Sequence, residues 1–280
     1  MIKNYIVNKL NVISISCILL LLFSLIPTTT IKDVNINNDR FKNVVYLLDK
    51  DNYVSKVITY YDKDSVEESI KYRIDVLING LKDFDIFYPL IPKNTKINNI
   101  TIDKNNVYID FNEELLNVSK YQEEEMIESI IYTLTEINGI DNIYITVNSE
   151  LLEKLPYSNK ILNYPLTKNY GINKEYNINS FNDINKTTIV YTKEINEYKY
   201  EVPITKITNS TDDKINIIVE ELKNKRIINK DVYLDKFNIS NKKMNLVFNR
   251  IDNIKEEAKD ILTMSILENY DVNDVIFSIK

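Results

Sequence analysis

The 280 residues include no histidine and no tryptophan, one cysteine, three glycines and six prolines. Without histidine the chain lacks the commonest general base, the Ser–His and Cys–His nucleophile pairs and the commonest metal ligand. One thiol cannot close an internal disulfide or build a cysteine zinc site. Three glycines cannot supply a GxGxxG or Walker-type loop, and neither pattern occurs. A net charge of −6 and a pI near 5.0 argue against a nucleic-acid partner. Enzymatic chemistry would therefore have to run on carboxylates or on a Ser–Lys pair, and no cofactor is implied. Asn, Ile, Lys and Tyr are abundant, with 20 tyrosines, and we read this as codon bias rather than chemistry.

At the amino terminus Lys3 and Lys9 precede an apolar run from Val12 to Ile26 that stops at Pro27. Positive charge followed by an apolar run marks a segment that enters the membrane. Residues Ile26-Pro27-Thr28-Thr29-Thr30 make a poor cleavage site, so residues 1–27 are expected to be an uncleaved anchor, with a cleaved signal and secretion as the alternative. A lipid-modified cysteine should close such a run, whereas Cys17 is followed by Ile18 to Ile26, nearly all apolar. Either way the rest of the chain is expected outside the cytoplasm. Residues 28–42 read as a linker.

From residue 43 one order of elements occurs twice. Val44 to Leu48 and Val54 to Tyr61 read as strands around a turn at Asp49-Asn52. Ser65 with Glu68 forms a capping-box pair, and Val66, Ile70, Ile74, Leu77, Ile78 and Leu81 fall on one helical face, with Gly80 near the helix end. Alternation then predicts a hairpin, with Ile100 and Ile102 on the same side as Val107, Ile109 and Phe111. Ser119 with Gln122 offers a second capping box. Glu123, Glu124 and Glu125 follow where the helix dipole favours negative charge. Met126, Ile127, Ile130, Ile131, Leu134 and Ile137 line that helix, and Ile143 to Val147 is the last strand.

The second copy places strands at Thr188–Tyr191 and Tyr200–Ile207, a helix over 211–222, a hairpin around Ser240-Asn241-Lys242-Lys243 and a second helix. Ile254, Ala258, Ile261, Leu262, Ser265 and Ile266 line that helix, and a strand follows at Val275-Ile276-Phe277. The expected fold class is therefore α+β, as two tandem ββαββαβ modules at 43–149 and 187–280. Each lays two helices on one face of a small sheet. Residues 150–186 join them as a linker, and Leu151, Leu152, Leu155 and Leu162 suggest that part of it packs on the first module.

Five stretches carry a resemblance. Leu77-Ile78-Asn79-Gly80, Ile91-Pro92-Lys93-Asn94-Thr95-Lys96, Val107-Tyr108-Ile109-Asp110-Phe111, Tyr132-Thr133-Leu134-Thr135-Glu136 and Ile143-Tyr144-Ile145 occur in that order. The chain resembles the GerMN-domain family of sporulation and spore germination proteins over roughly residues 43 to 175, with residues 187 to 280 as a divergent second copy. Gly171-Ile172-Asn173-Lys174-Glu175 also resembles the passage after that domain's last strand. The family usually has Gly where Asn94 stands, and Asn tolerates a left-handed turn nearly as readily. The resemblance implies a fold related to the ring-building motifs of secretion and sporulation channels. It further implies a non-catalytic role in assembling the complex between mother cell and forespore, by pairing with envelope proteins or with further copies of itself.

Candidate sites carry bland readings beside sharper ones. Glu123, Glu124 and Glu125 with Asp110 or with Glu113 and Glu114 form a possible carboxylate pair for hydrolysis of cortex peptidoglycan; helix-start acids and a solvated loop explain them better. Ser65 or Ser119 near a lysine reads first as a cap. Tyr108, Tyr132 and Tyr144 offer a sugar-stacking surface, as a peptidoglycan-binding module would need, although sheet faces account for them first. No residue is assigned a catalytic, cofactor-binding or metal-binding role.

Overall fold

The computed structural model describes residues 41–61, 65–82 and 85–280. The apolar segment expected to enter the membrane, Cys17 included, lies outside the described residues. Among those described, no helix is long and apolar enough to cross a membrane.

The first module opens with β1 (Phe41–Asp49) and β2 (Val54–Tyr61), antiparallel from Phe41↔Tyr61 to Leu48↔Val54. Asp49 Oδ1 shapes the turn by accepting the backbone N–H groups of Asp51 and Tyr53, both at 2.9 Å, as Asx turns do. Helix α1 (Val66–Asn79) starts where the capping signal places it, with the Glu68 N–H donating to Ser65 Oγ at 3.2 Å. It stops at Gly80, whose φ of 75° suits a residue without Cβ. Ile70, Ile74 and Leu77 are buried as the spacing requires, whereas Val66, on the first helical turn, stays 39% exposed.

A two-residue strand, β3 (Phe87–Tyr88), adds to β1. The hairpin β4 (Ile97–Asp103) and β5 (Asn106–Phe111) pairs Ile100 with Ile109 and Ile102 with Val107, the register that alternation predicts. Helix α2 (Glu123–Thr135) then crosses to β6 (Asn142–Val147), which lies parallel to β5. Ser119 does not cap α2. Its hydroxyl accepts the Tyr121 N–H at 3.4 Å within a preceding turn, and the helix begins only after Gln122.

The linker contributes β7 (Glu150–Leu151) and β8 (Glu175–Asn177). The second module repeats the order with β9 (Asn185–Ile195), β10 (Tyr198–Thr208), α3 (Lys214–Asn224), β11 (Leu234–Ser240), β12 (Lys243–Phe248), α4 (Glu256–Asn269) and β13 (Asp274–Ile279). The chain is α+β, with the tandem order that its sequence predicts.

Each module divides its strands between two sheets. The hairpins of both modules share one six-stranded sheet, ordered β3-β1-β2-β10-β8 with β9 also pairing with β10. The remaining strands form β4-β5-β6-β7 and β11-β12-β13. Helices α1 and α2 contact both sheets of the first module, and α4 contacts both of the second. The first apolar core accordingly takes in Tyr200, Val202 and Ile204 from β10. Each such side chain, fully buried, contributes on the order of 1.5–3 kcal/mol.

Polar helix residues finish the outer edges of the hairpins. Ser129 Oγ donates to the Tyr46 carbonyl at 2.5 Å, and the Tyr46 N–H donates to Thr133 Oγ1 at 2.9 Å. In the second module Ser265 Oγ accepts the Val190 N–H at 2.9 Å. Asn269 exchanges bonds with the Thr188 N–H and carbonyl at 3.0 and 2.5 Å. A buried backbone group without a partner costs ~1–3 kcal/mol, so these helix positions hold hydroxyl or amide groups where spacing alone suggests apolar ones.

Candidate functional site

The acids at the start of α2 receive the linker. The Glu123 carboxylate accepts the backbone N–H groups of Tyr157 and Ser158 at 2.9 and 2.8 Å. Glu124 pairs with both Lys160 and Lys174 at 2.6 Å. One turn on, Glu128 is ion-paired to Lys174 and accepts the Asn173 N–H at 2.8 Å. Burial pushes the Glu128 carboxyl up to about 7 against the opposing Lys174 charge. Glu124 is held below the usual carboxylate range, because Lys174 and Lys160 outweigh a burial effect that would raise it.

From this anchor the linker runs into the junction between the modules. Asn173, left-handed at φ 48°, joins three pieces of backbone. Its Oδ1 accepts the Val54 N–H at 2.8 Å, and its Nδ2 donates to the carbonyls of Val54 at 2.8 Å and Pro203 at 2.7 Å. Nearby, Lys168 Nζ lies 2.9 Å from Glu136 of the first module and 3.0 Å from Glu268 of the second. Lys56 on β2 pairs with Glu201 on β10 at 3.0 Å. These groups, with Tyr46, line a polar cavity of about 390 Å³. Burial raises the Glu268 carboxyl. At Glu136 burial also acts to raise it, but Lys168 and Lys56 together hold it down.

Three carboxylates, Glu136, Glu201 and Glu268, line the cavity, and each is paired with a lysine there: Lys168 lies between Glu136 and Glu268, and Lys56 holds Glu201. Asp110 is committed locally. Thr146 Oγ1, the Ser149 N–H and Asn98 Nδ2 donate to it at 2.6, 2.7 and 3.0 Å, and they lower its carboxyl against a burial effect of opposite sign. Glu114 accepts from Asn117 at 2.8 Å on a short 3-10 helix, and Glu113 beside it is exposed. Asp110, Glu114, Glu123 and Glu124 thus serve separate structural duties. Among the described residues, no group of three or more acidic or cysteine side chains is placed to hold a metal.

The tyrosines separate into two groups. Tyr132 is fully buried, edge-on to Tyr46 at 5.4 Å, with its hydroxyl donating to the Lys168 carbonyl at 3.1 Å. Tyr108 and Tyr144 stack on the β4-β5-β6-β7 sheet at 4.5 Å and 14°, and Tyr164 of the linker extends the stack at 5.7 Å and 10°. Sequence reasoning missed Glu128, Glu136, Lys168, Asn173 and Glu268, because partners far apart in the chain give each its role. Glu128 left one signal, a carboxylate amid the apolar positions Ile127, Ile130 and Ile131.

The family described as "Germane: Sporulation and spore germination" matches residues 44–153. "Spore germination protein GerM" of Bacillus subtilis (strain 168) is 28% identical over 187 residues. That match covers 64% of this chain and 50% of the relative, so the chain spans about half the length of the curated relative it matches. The solved tandem GerMN domains of the sporulation protein GerM from Bacillus subtilis superpose with a TM-score of 0.77 at 25% identity, covering 86% of this chain and 91% of that one. The family match ends just past β7, and the superposition carries the likeness on through the second module. The sequence motifs, the ββαββαβ order and the tandem layout agree: the first module matches the GerMN-domain family, and the chain as a whole is similar to the tandem GerMN domains of GerM.

Proposed function

We propose that the protein is a non-catalytic sporulation or germination protein, anchored in the cell envelope by residues 1–27, whose two modules assemble with other envelope proteins. The observation that carries this reading is Lys168 lying between Glu136 and Glu268. Where acids converge, the fold uses them to hold its own halves together, which leaves docking surfaces as the means of action. The likeness to a spore germination protein supplies the setting.

Capture by cross-linking in a spore-forming host tests it. Full-length protein should bring down a reproducible set of envelope proteins, and a Glu136→Gln/Glu268→Gln double variant that still folds should keep both them and spore formation. Loss of cortex-degrading activity in that variant would instead establish the hydrolase reading.

The Tyr108–Tyr144–Tyr164 stack favours a second reading, peptidoglycan binding, since sugar rings pack on aromatic faces. Pelleting with purified cortex sacculi that is lost in Tyr108→Ala would support it.

A further inference from the structure

A sheet edge is a row of unpaired backbone groups that another chain can complete, so each edge calls for a cover or a distortion. Edge β1 is closed by β3, Ser129 and Thr133, and β9 by Ser265 and Asn269. Strands β4 and β11 are interrupted by bulges, between Ile97 and Asn99 and between Leu234 and Lys236, which blunt them. Strand β6 is covered by the linker. The Ile143 N–H and carbonyl pair with Leu166 at 2.9 and 3.0 Å, and the Ile145 carbonyl accepts from Leu152 at 3.0 Å.

Strand β13 is the counterpart of β6, yet no strand or bridge covers its outer edge among the described residues. Its pairing with β12 runs unbroken from Lys243↔Asp274 to Phe248↔Ile279. Matching that register to the β5–β6 pair makes Val275 and Phe277 the equivalents of Ile143 and Ile145. Their backbone groups, and those of Ile279, therefore point outward. Ile279 is 55% exposed.

We propose that β13 pairs with β13 of a second copy of this chain, antiparallel about a two-fold axis at Phe277. That register sets the outward groups of Val275, Phe277 and Ile279 opposite those of Ile279, Phe277 and Val275, an isologous contact. It also sets Asp274 opposite Lys280 at both ends. In the single chain Asp274 pairs with Lys243 at 2.9 Å, exposed on both sides and weak enough to exchange, while the exposed Lys280 reaches the largely buried Asp235 at 3.4 Å. The core-facing side chains Val275, Phe277 and Ile279 would meet their own kind, carrying the apolar layer from one molecule into the next. The result is a six-stranded sheet made of two three-stranded halves. This deepens the assembly reading by naming one partner, and it rests on that reading only for the purpose the contact serves.

Sedimentation equilibrium of the full chain in mild detergent tests the pairing. Wild type should dimerise reversibly at roughly tens to hundreds of micromolar, as expected for a small interface. Ile279→Pro removes an outward N–H while leaving the β12 side intact, and should abolish the dimer without changing the circular dichroism. Asp274→Lys and Lys280→Asp should each weaken it roughly tenfold, and the two together should restore it. A wild type that stays monomeric, a dimer indifferent to Ile279→Pro, or a double reversal that fails to restore association would each overturn the proposal. Cross-linking of wild type and Ile279→Pro in spore-forming cells separates this from the assembly reading. Envelope partners captured by a monomeric wild type sink the pairing alone, and a dimer that captures none sinks the assembly reading alone.

Discussion

Ile143 in the first module and Val275 in the second hold the same register position, one strand in from the hairpin of the smaller sheet, yet Ile143 is fully buried and Val275 half-exposed. The strands themselves barely differ in pattern. What differs is a segment elsewhere in the chain. Residues 150–166 fold back over β6, sending Leu155, Leu162 and Leu166 into the first core, while Leu151 remains 45% exposed. Equivalent strands thus acquire different stability and different availability from what is laid over them, and a repeat in sequence does not guarantee a repeat in burial.

The sharpest test of that contrast is a pair of truncations. Ile143→Ala should cost about 2–5 kcal/mol, and Val275→Ala less than about 1 kcal/mol, in urea unfolding. Equal costs would break the comparison. Next in size is Asn173→Ala, which strips partners from the backbone of Val54 and Pro203 at once. A loss of about 2–4 kcal/mol is expected, with earlier cleavage of the linker in limited proteolysis. No second-module residue is expected to match it.

The pH response should be led by Glu128 of the first module, with Glu268 of the second, also raised by burial, acting in the same sense. The Glu128 carboxyl is raised by burial to about 7, against 4.5 for the free group, so the folded state binds its proton more tightly than the unfolded chain does. Stability from this group is complete below the unfolded value and lost as pH rises through about 7. The melting temperature should therefore fall between about pH 5 and pH 8, and Glu128→Gln should flatten that slope. Glu124 and Glu136, with lowered carboxyls, act in the opposite sense only at lower pH. The smallest effect is expected at Lys242→Ala. That residue's pair with Asp271 is exposed on both sides, so the cost should stay within about 0.5 kcal/mol by thermal melt.

Much of the fold was legible because its signals are local. The β4–β5 register follows from alternation around Asp103-Lys104-Asn105-Asn106. The stripes of α3 and α4 follow from spacings of three and four, and all of Ile215, Ile218, Val219, Leu222, Ala258, Ile261 and Ile266 are buried. Which sheet a strand joins is not a local property. Nothing in Val54 to Tyr61 says that its free side meets β10 at Glu201↔Lys56. Nor does the polar run of the linker disclose its contacts, since Glu123 receives it through backbone N–H groups that any residue type except proline could offer. The candidate site was least legible for the same reason. Lys168 and Glu268 are 100 positions apart and look like ordinary surface charges until the chain closes. Ser129 and Thr133 read as gaps in an apolar stripe, but they serve the backbone of a strand more than 80 residues away.

Asn173 ties Val54 and Pro203 through one short side chain, and a short tether permits little swivel. A protein that bridged both halves would meet a junction already tied by these bonds, so docking would sacrifice little freedom in this chain and would reward a matching shape.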